Sequence, residues 1–189
     1  MYLTIPNFLS LLRILAIPVF AICFWYGQLV FAFILFALAG VTDLLDGFIA
    51  RRFNQASALG AFLDPMADKL LMTVAFVLLC IPGSHLSITI PFWVAILAIT
   101  RDVIIGFFAL LSSSGFDPTR FRPSILGKIT AGAELVVISL VLLCNAVGST
   151  TRVDLLFPYA FHVVAYLVIA SGLHYFIRAS SSPRAHNRA

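Results

Sequence analysis

The sequence predicts an all-α integral membrane protein of six transmembrane helices with both termini in the cytoplasm. Three observations carry that prediction. Of 189 residues, 61% are apolar and only 11% are charged, whereas a soluble domain carries about 25% charged residues; mean hydropathy is +1.06. The apolar residues fall into six runs, each near the roughly 20 residues that a helix needs to cross a bilayer core. The basic residues between the runs gather on one side of the chain's path, which orients a membrane protein.

The first run, Phe8 to Tyr26, is led in by Pro6-Asn7. The second spans Leu29 to Arg52 and the third Leu59 to Ile81, where Pro82-Gly83 stops it. The fourth spans Ile88 to Leu111 and ends at Ser112-Ser113-Ser114-Gly115. The fifth runs from Ile125 to Cys144 and the sixth from Leu155 to Ile177. The longest link joins the fourth and fifth runs and contains Ser, Gly and Pro, enough for a short interfacial segment. One six-helix domain over 1–178 and a cytoplasmic tail over 179–189 account for the whole chain.

Loop charge gives the orientation. Arg51 and Arg52 lie between runs two and three, Arg120 and Arg122 between four and five, and Arg178, Arg184 and Arg188 at the C-terminus. With six spans all of these share a side, against Arg152 alone on the other. Positive-inside placement then puts both termini in the cytoplasm. The net charge of +4 suits an anionic lipid face, and the basic residues are too few and scattered for nucleic acid. Cys23, Cys80 and Cys144 lie far apart inside apolar runs, without metal-ligand or disulfide spacing. The N-terminus lacks the basic region of a cleavable signal. Most of the phenylalanines read as lipid-facing bulk and Trp25 and Trp93 as interfacial; His85 falls in an outer loop and His186 in the tail, and His162 and His174 lie in the sixth run without an evident partner.

Four of the eight acidic residues sit together at the junction of runs two and three: Asp43, Asp46, Asp64 and Asp68. Ionisable groups at membrane depth mark functional sites. Asp43, Asp46, Gly47 and Ala50 are spaced i, i+3, i+4, i+7, and Gly60, Asp64 and Asp68 i, i+4, i+8, so each set shares one helical face. Two helices can thus turn two carboxylates each toward one centre, with small residues that let a bulky ligand approach the backbone. Carboxylates without His or Cys favour hard cations such as Mg²⁺, Mn²⁺ or Ca²⁺. Two such ions serve an in-line displacement at phosphorus. An unligated Asp would be the general base, and Arg51 would meet a phosphate. The same carboxylates equally suit the ion site of a cation transporter.

The pattern D-x-x-D-G-x-x-A-R-x8-G-x-x-x-D-x-x-x-D, filled by Asp43, Asp46, Gly47, Ala50, Arg51, Gly60, Asp64 and Asp68, resembles the signature of the CDP-alcohol phosphatidyltransferase family. Eight fixed residues with a fixed spacer make a specific motif. The resemblance implies transfer of the phosphatidyl group of CDP-diacylglycerol to an alcohol, with release of CMP, in phospholipid biosynthesis. It implies Asp43, Asp46, Asp64 and Asp68 as the site for two Mg²⁺ or Mn²⁺ ions, with Asp68 the catalytic base. Asp43, Asp46, Gly47, Ala50, Arg51 and Gly60 would form the CDP pocket. It also implies a homodimer. The short N-terminus suggests a bacterial cytoplasmic membrane (a mitochondrial inner membrane, if eukaryotic), and the loop charges put the aspartate cluster on the cytoplasmic side.

The acceptor is read from finer similarities. Ile5-Pro6-Asn7-Phe8-Leu9-Ser10-Leu11-Leu12-Arg13 resembles the first-helix start of both phosphatidylglycerophosphate synthases and eukaryotic-type cardiolipin synthases. Arg13 either snorkels to the headgroups or lines the site. The stretch from Phe36 to Gly60, the Arg101-Asp102 pair and Arg122-Pro123-Ser124-Ile125-Leu126-Gly127-Lys128 resemble the cardiolipin synthase type. Ala109 stands where phosphatidylglycerophosphate synthases typically carry a second arginine. The expected acceptor is therefore phosphatidylglycerol, with glycerol 3-phosphate the alternative. Arg101, Arg122 and Lys128 are candidates for gripping the phosphate that either acceptor carries. Arg101 with Asp102 is alternatively a structural ion pair, and Glu134 either pairs with a basic residue or touches the acceptor.

Overall fold

The computed structural model describes residues 5–53, 58–82, 86–113, 124–148 and 155–180; the side chains of 5–7, 44–53, 58–65, 108–113, 176 and 178–180 lie outside that description. Among the described residues the chain forms six α-helices: α1 (Ile5–Trp25), α2 (Leu29–Phe53), α3 (Ala58–Leu79), α4 (Phe92–Ser113), α5 (Ile125–Val147) and α6 (Phe157–Ser180). Every apolar run becomes a helix. Pro6 falls in the first turn of α1, where its missing N–H costs nothing, so the helix starts at Ile5 rather than Phe8.

The one substantial shift is at α4, which begins at Phe92 and not at Ile88. Pro91 disfavours a helical conformation in the residue before it, and the stretch ahead of it has other partners. The Ile90 N–H donates to Leu79 O at 3.0 Å. Asn145 Oδ1 accepts from the Ser87 and Ile88 N–H groups at 2.8 and 3.0 Å. Its Nδ2 donates to Ile88 O and Val141 O at 2.9 and 2.8 Å. One amide thus supplies bonds that a helix over Ile88–Ile90 would otherwise have made, and Ile88 and Ile90 go into the core.

The helices close into a ring. α1 lies between α2 and α3, α2 packs on α5, α5 on α6, α6 on α4, and α3 touches α4 and α5. Phe20, Phe36, Leu79, Ile90, Ile138 and Leu142 fill the centre, with the Phe20 and Phe36 rings 6.0 Å apart. Contrary to the expected lipid-facing placement, Phe24, Phe76, Phe157 and Phe161 are buried as well, their large apolar rings packing the helices together, while Phe8, Phe31, Phe92 and Phe107 are exposed. Large apolar side chains are also exposed along all six helices, among them Leu15, Phe31, Leu70, Val103, Ile129 and Ile169. A soluble monomer does not present so much apolar surface; lipid tails cover it without cost. Three segments, Phe8–Trp25, Ile125–Val147 and Phe157–Tyr175, are long and apolar enough to cross a membrane. The charged side chains of the candidate site interrupt α2, α3 and α4.

The two ends of the ring differ. Trp25, Tyr26, Trp93 and Tyr159 are exposed at one end, an arrangement typical of a membrane–water interface. His162 has partners there, contrary to expectation: its ring centroid lies 5.5 Å from that of Trp93, and its Nδ1 is 2.6 Å from Pro158 O. Charge collects toward the other end.

Candidate active site

Arg13 is the only charged residue of α1. It does not snorkel. Its side chain is 1% exposed and Nη1 donates to Asp43 Oδ1 at 2.8 Å, while the Asp43 side chain is 40% exposed. The cation is therefore deep and the carboxylate stands at the mouth. Asp43 follows Thr42, whose hydroxyl donates to Ala39 O at 2.8 Å within α2. Asp68, on α3, is half-buried and lies within electrostatic reach of Asp43, Arg13, Lys69 and Asp102. Three helices thus bring one guanidinium and two of the four predicted carboxylates together.

A second group of charges continues from the first. Asp102 Oδ1 takes Lys69 Nζ at 3.1 Å and Arg101 Nη1 at 2.6 Å. Arg101 is buried, and Nη2 donates to Gly127 O at 3.2 Å and to Ser171 Oγ at 3.1 Å. One side chain of α4 therefore ties the start of α5 to α6. Gly127 permits this: a Cβ there would lie 3.4 Å from Arg101 Nη2, 3.4 Å from Tyr175 Oη and 3.3 Å from Ser124 Oγ. Ser124 caps α5, its hydroxyl accepting from the Gly127 N–H at 3.0 Å, and its own N–H donates to Tyr175 Oη at 3.1 Å.

Glu134 is buried on the α5 face that carries Gly127 and Thr130. It feels the charges of Asp102, Arg101, Lys69 and Asp68. Its Oε1 and Arg101 Nε have no hydrogen-bond partner among the described residues. Lys128 is exposed, one residue after Gly127. All the charged side chains among the described residues therefore either belong to one array across α1 to α5 or, for Lys128, stand beside it.

Asp46, Gly47, Ala50 and Arg51 lie within the helical span of α2, and Gly60 and Asp64 within that of α3; their side chains lie outside the described ones. Arg122 lies outside the described residues altogether, as do His85 and His186. Sequence reasoning missed Ser171 and Tyr175. Their signal was two polar residues four apart, hence on one face of a mostly apolar helix that also carries His162 and His174.

The donor chemistry fits a hard divalent ion. The predicted ligands are carboxylates without His or Cys, and Asp43 is accessible with one oxygen held by Arg13. Among the described residues no three acidic, His or Cys side chains converge; the Asp46 and Asp64 side chains are outside that set. The array can bind a cation, hold an anion through Arg and Lys, and take a proton on a carboxylate.

Comparison with known proteins gives this chemistry a family. A profile described as CDP-alcohol phosphatidyltransferase matches residues 3–173. A CDP-diacylglycerol–glycerol-3-phosphate 3-phosphatidyltransferase of Pseudomonas fluorescens is 36% identical over 176 residues, 90% of this chain and 84% of the relative. The protein of the same name in Escherichia coli K12 is 33% identical over 182 residues, covering 93% of this chain and 94% of the relative. A probable cardiolipin synthase (CMP-forming) of Drosophila melanogaster is 38% identical over 154 residues, 73% of this chain and 46% of the relative.

Proposed function

This chain belongs to the CDP-alcohol phosphatidyltransferase family, and from that premise we propose that it transfers a phosphatidyl group from CDP-diacylglycerol to glycerol 3-phosphate and releases CMP. The family is one of enzymes, so ion transport loses its support as a role for the carboxylates. The observation that carries the acceptor is end-to-end similarity. The two named relatives that act on glycerol 3-phosphate match over 84% and 94% of their own length, whereas the named cardiolipin synthase matches over 46% of its own. This reverses the lean drawn from the sequence. Phosphatidylglycerol stays as the second reading because of Ala109 and the Arg101-Asp102 pair.

The proposed site uses the four aspartates. Asp43, Asp46, Asp64 and Asp68 would hold divalent ions, Mg²⁺ or Mn²⁺ and two in number; when bound, these supply positive charge to the diphosphate and the departing CMP. Asp43, Asp46, Gly47, Ala50, Arg51 and Gly60 would line the CDP pocket, with the glycines giving the nucleotide close access to the helices. Asp68 takes the proton of the acceptor hydroxyl as that oxygen attacks the phosphatidyl phosphorus. The new P–O ester bond forms as the bridging P–O bond breaks, and CMP leaves with the electron pair. A single in-line displacement inverts a chiral phosphorus; retention would mean a covalent intermediate. The chain's contribution is mostly positioning and electrostatics.

Arg101, Arg122 and Lys128 would grip the acceptor phosphate. Arg101 has five N–H donors, and the hydrogen bonds described above use three, so it retains capacity for a phosphate oxygen. Six membrane spans, both termini in the cytoplasm, a domain over 1–178 with a tail over 179–189, a homodimer, and a site facing the cytoplasm of a bacterial cell (or the mitochondrial inner membrane of a eukaryote) complete the proposal.

An acceptor panel tests it. Purified protein in detergent with Mn²⁺ and CDP-diacylglycerol receives glycerol 3-phosphate, phosphatidylglycerol or inositol phosphate, and CMP and lipid products are measured. Phosphatidylglycerophosphate as the product is expected. Cardiolipin formed from phosphatidylglycerol, with glycerol 3-phosphate inert, would overturn the acceptor and keep the mechanism.

A further inference from the structure

Arg13 sits where its charge opposes the ligand the cluster is proposed to bind. It reaches across from α1 to one oxygen of Asp43, and it is buried while the Asp43 side chain is partly exposed. A buried cation held against a carboxylate at 2.8 Å fixes that carboxylate, because parting a buried pair is costly. Arg13 therefore holds Asp43 in one orientation. An ion sharing that carboxylate with Arg13 is also repelled by it. The two effects pull in opposite directions, and magnitude decides between them. Fixing one carboxylate rotor changes affinity by a small factor. Like charges on either side of one carboxylate change it by powers of ten, even at an effective dielectric of about 20.

We infer that Arg13 is a positioning residue with a second role as resident counter-cation: it keeps the Asp43 carboxylate in place without metal and keeps the affinity of that carboxylate for a divalent ion low until an anionic diphosphate arrives. The inference rests on the reading of Asp43 as a metal ligand. The diphosphate offsets the repulsion from Arg13 as it binds, so nucleotide and ion strengthen each other's binding, as linkage requires.

Mn²⁺ binding to the full chain in detergent, followed by electron paramagnetic resonance without nucleotide, tests this directly. R13Q should bind Mn²⁺ at least tenfold more tightly than wild type, and R13K, which keeps the charge, within threefold of it. R13Q should also unfold at a lower temperature in EDTA and regain that loss with Mn²⁺. Wild-type protein tests the idea without any substitution: CDP should tighten its Mn²⁺ affinity at least tenfold. Equal or weaker binding by R13Q, or no effect of CDP on the wild type, would overturn the inference. D43N separates the two levels. If it binds Mn²⁺ as wild type does, Asp43 is not a ligand and the underlying assignment fails. If D43N binds weakly and R13Q is no tighter than wild type, the assignment stands and the role of Arg13 fails.

Discussion

Replacing Arg101 with leucine should destabilise the protein strongly, and the structure says by how much. Arg101 is 8% exposed. The change removes its bonds to Asp102, Gly127 O and Ser171 Oγ. Breaking a buried pair by deleting one partner costs about 3–5 kcal/mol. Asp102 keeps Lys69, whose side chain is 38% exposed, so the lower end of that range applies. In a chain of this size about 1 kcal/mol shifts Tm by roughly 2–4 °C, which gives a fall of roughly 6–12 °C. Lys69→Ala removes only an exposed partner, worth about 0–1 kcal/mol, and should lower Tm by less than about 4 °C. Arg101→Lys keeps the charge but not the planar fork that reaches two acceptors at once, so it should fall between them. Tryptophan fluorescence during heating, at one detergent concentration and one scan rate, measures all three; the scan rate is fixed because such unfolding is often irreversible. Equal small shifts for R101L and K69A would refute the claim that burial makes this pair costly to break.

Two further predictions concern the opposite end and the carboxylates. Asn145→Ala strands the buried Ile88 N–H and leaves Ile88 O without its side-chain donor, at about 1–3 kcal/mol for an unsatisfied buried group; Tm should fall by roughly 2–12 °C while the acceptor panel keeps its ranking, because this clasp is remote from the charged array. Asp64→Asn should abolish CMP release, and EDTA should do the same to the wild type reversibly, with radiolabelled CDP-diacylglycerol as the assay; activity that survives Asp64→Asn would remove that residue from the metal site.

The helices were legible because each apolar run is a long, nearly unbroken stretch bounded by charge, Pro or Gly. What was not legible depended on partners distant in sequence. The run Ile88–Ile90 is apolar enough for a helix; Pro91 argues against one locally, but the partners that hold it extended, Leu79 O for the Ile90 N–H and Asn145, 57 residues beyond Ile88, are set by the tertiary fold. Arg13 could be read as snorkelling or as lining the site, since a basic residue near a helix end suits both; its partner lies 30 residues on. Ser171 and Tyr175 carried a periodicity signal, but nothing in their own helix says that they meet Arg101 and the α5 cap. Helical spacing aligns Asp43 with Asp46 and Asp64 with Asp68 without tertiary information, and the described members of the two pairs, Asp43 and Asp68, fall within one electrostatic array; the side chains of Asp46 and Asp64 lie outside the described ones. The acceptor was the hardest to read, since the basic residues proposed to hold it would serve either phosphate.

Depth connects the charged array to the choice of acceptor. Twelve residues separate Arg13 from Trp25, and twelve separate Ser171 from Tyr159, which at about 1.5 Å per residue is roughly 18 Å along each helix. If the exposed aromatics stand at one interface of a hydrocarbon core about 30 Å thick, the array lies roughly 12 Å beneath the other. A lipid acceptor already has its phosphate near that interface and needs little help to approach. Glycerol 3-phosphate comes from water as a charged solute and must be drawn inward past the headgroups. An exposed Lys128 directly after the Gly127–Arg101 contact then offers the phosphate a first cation on the way to Arg101. Neutralising Lys128 with glutamine should therefore raise KM for glycerol 3-phosphate more than it lowers kcat, and increasing salt should mimic it, since exposed charges are screened within about a Debye length. A fall in kcat with KM unchanged would instead place Lys128 at the reacting centre and argue against an approach path along α5.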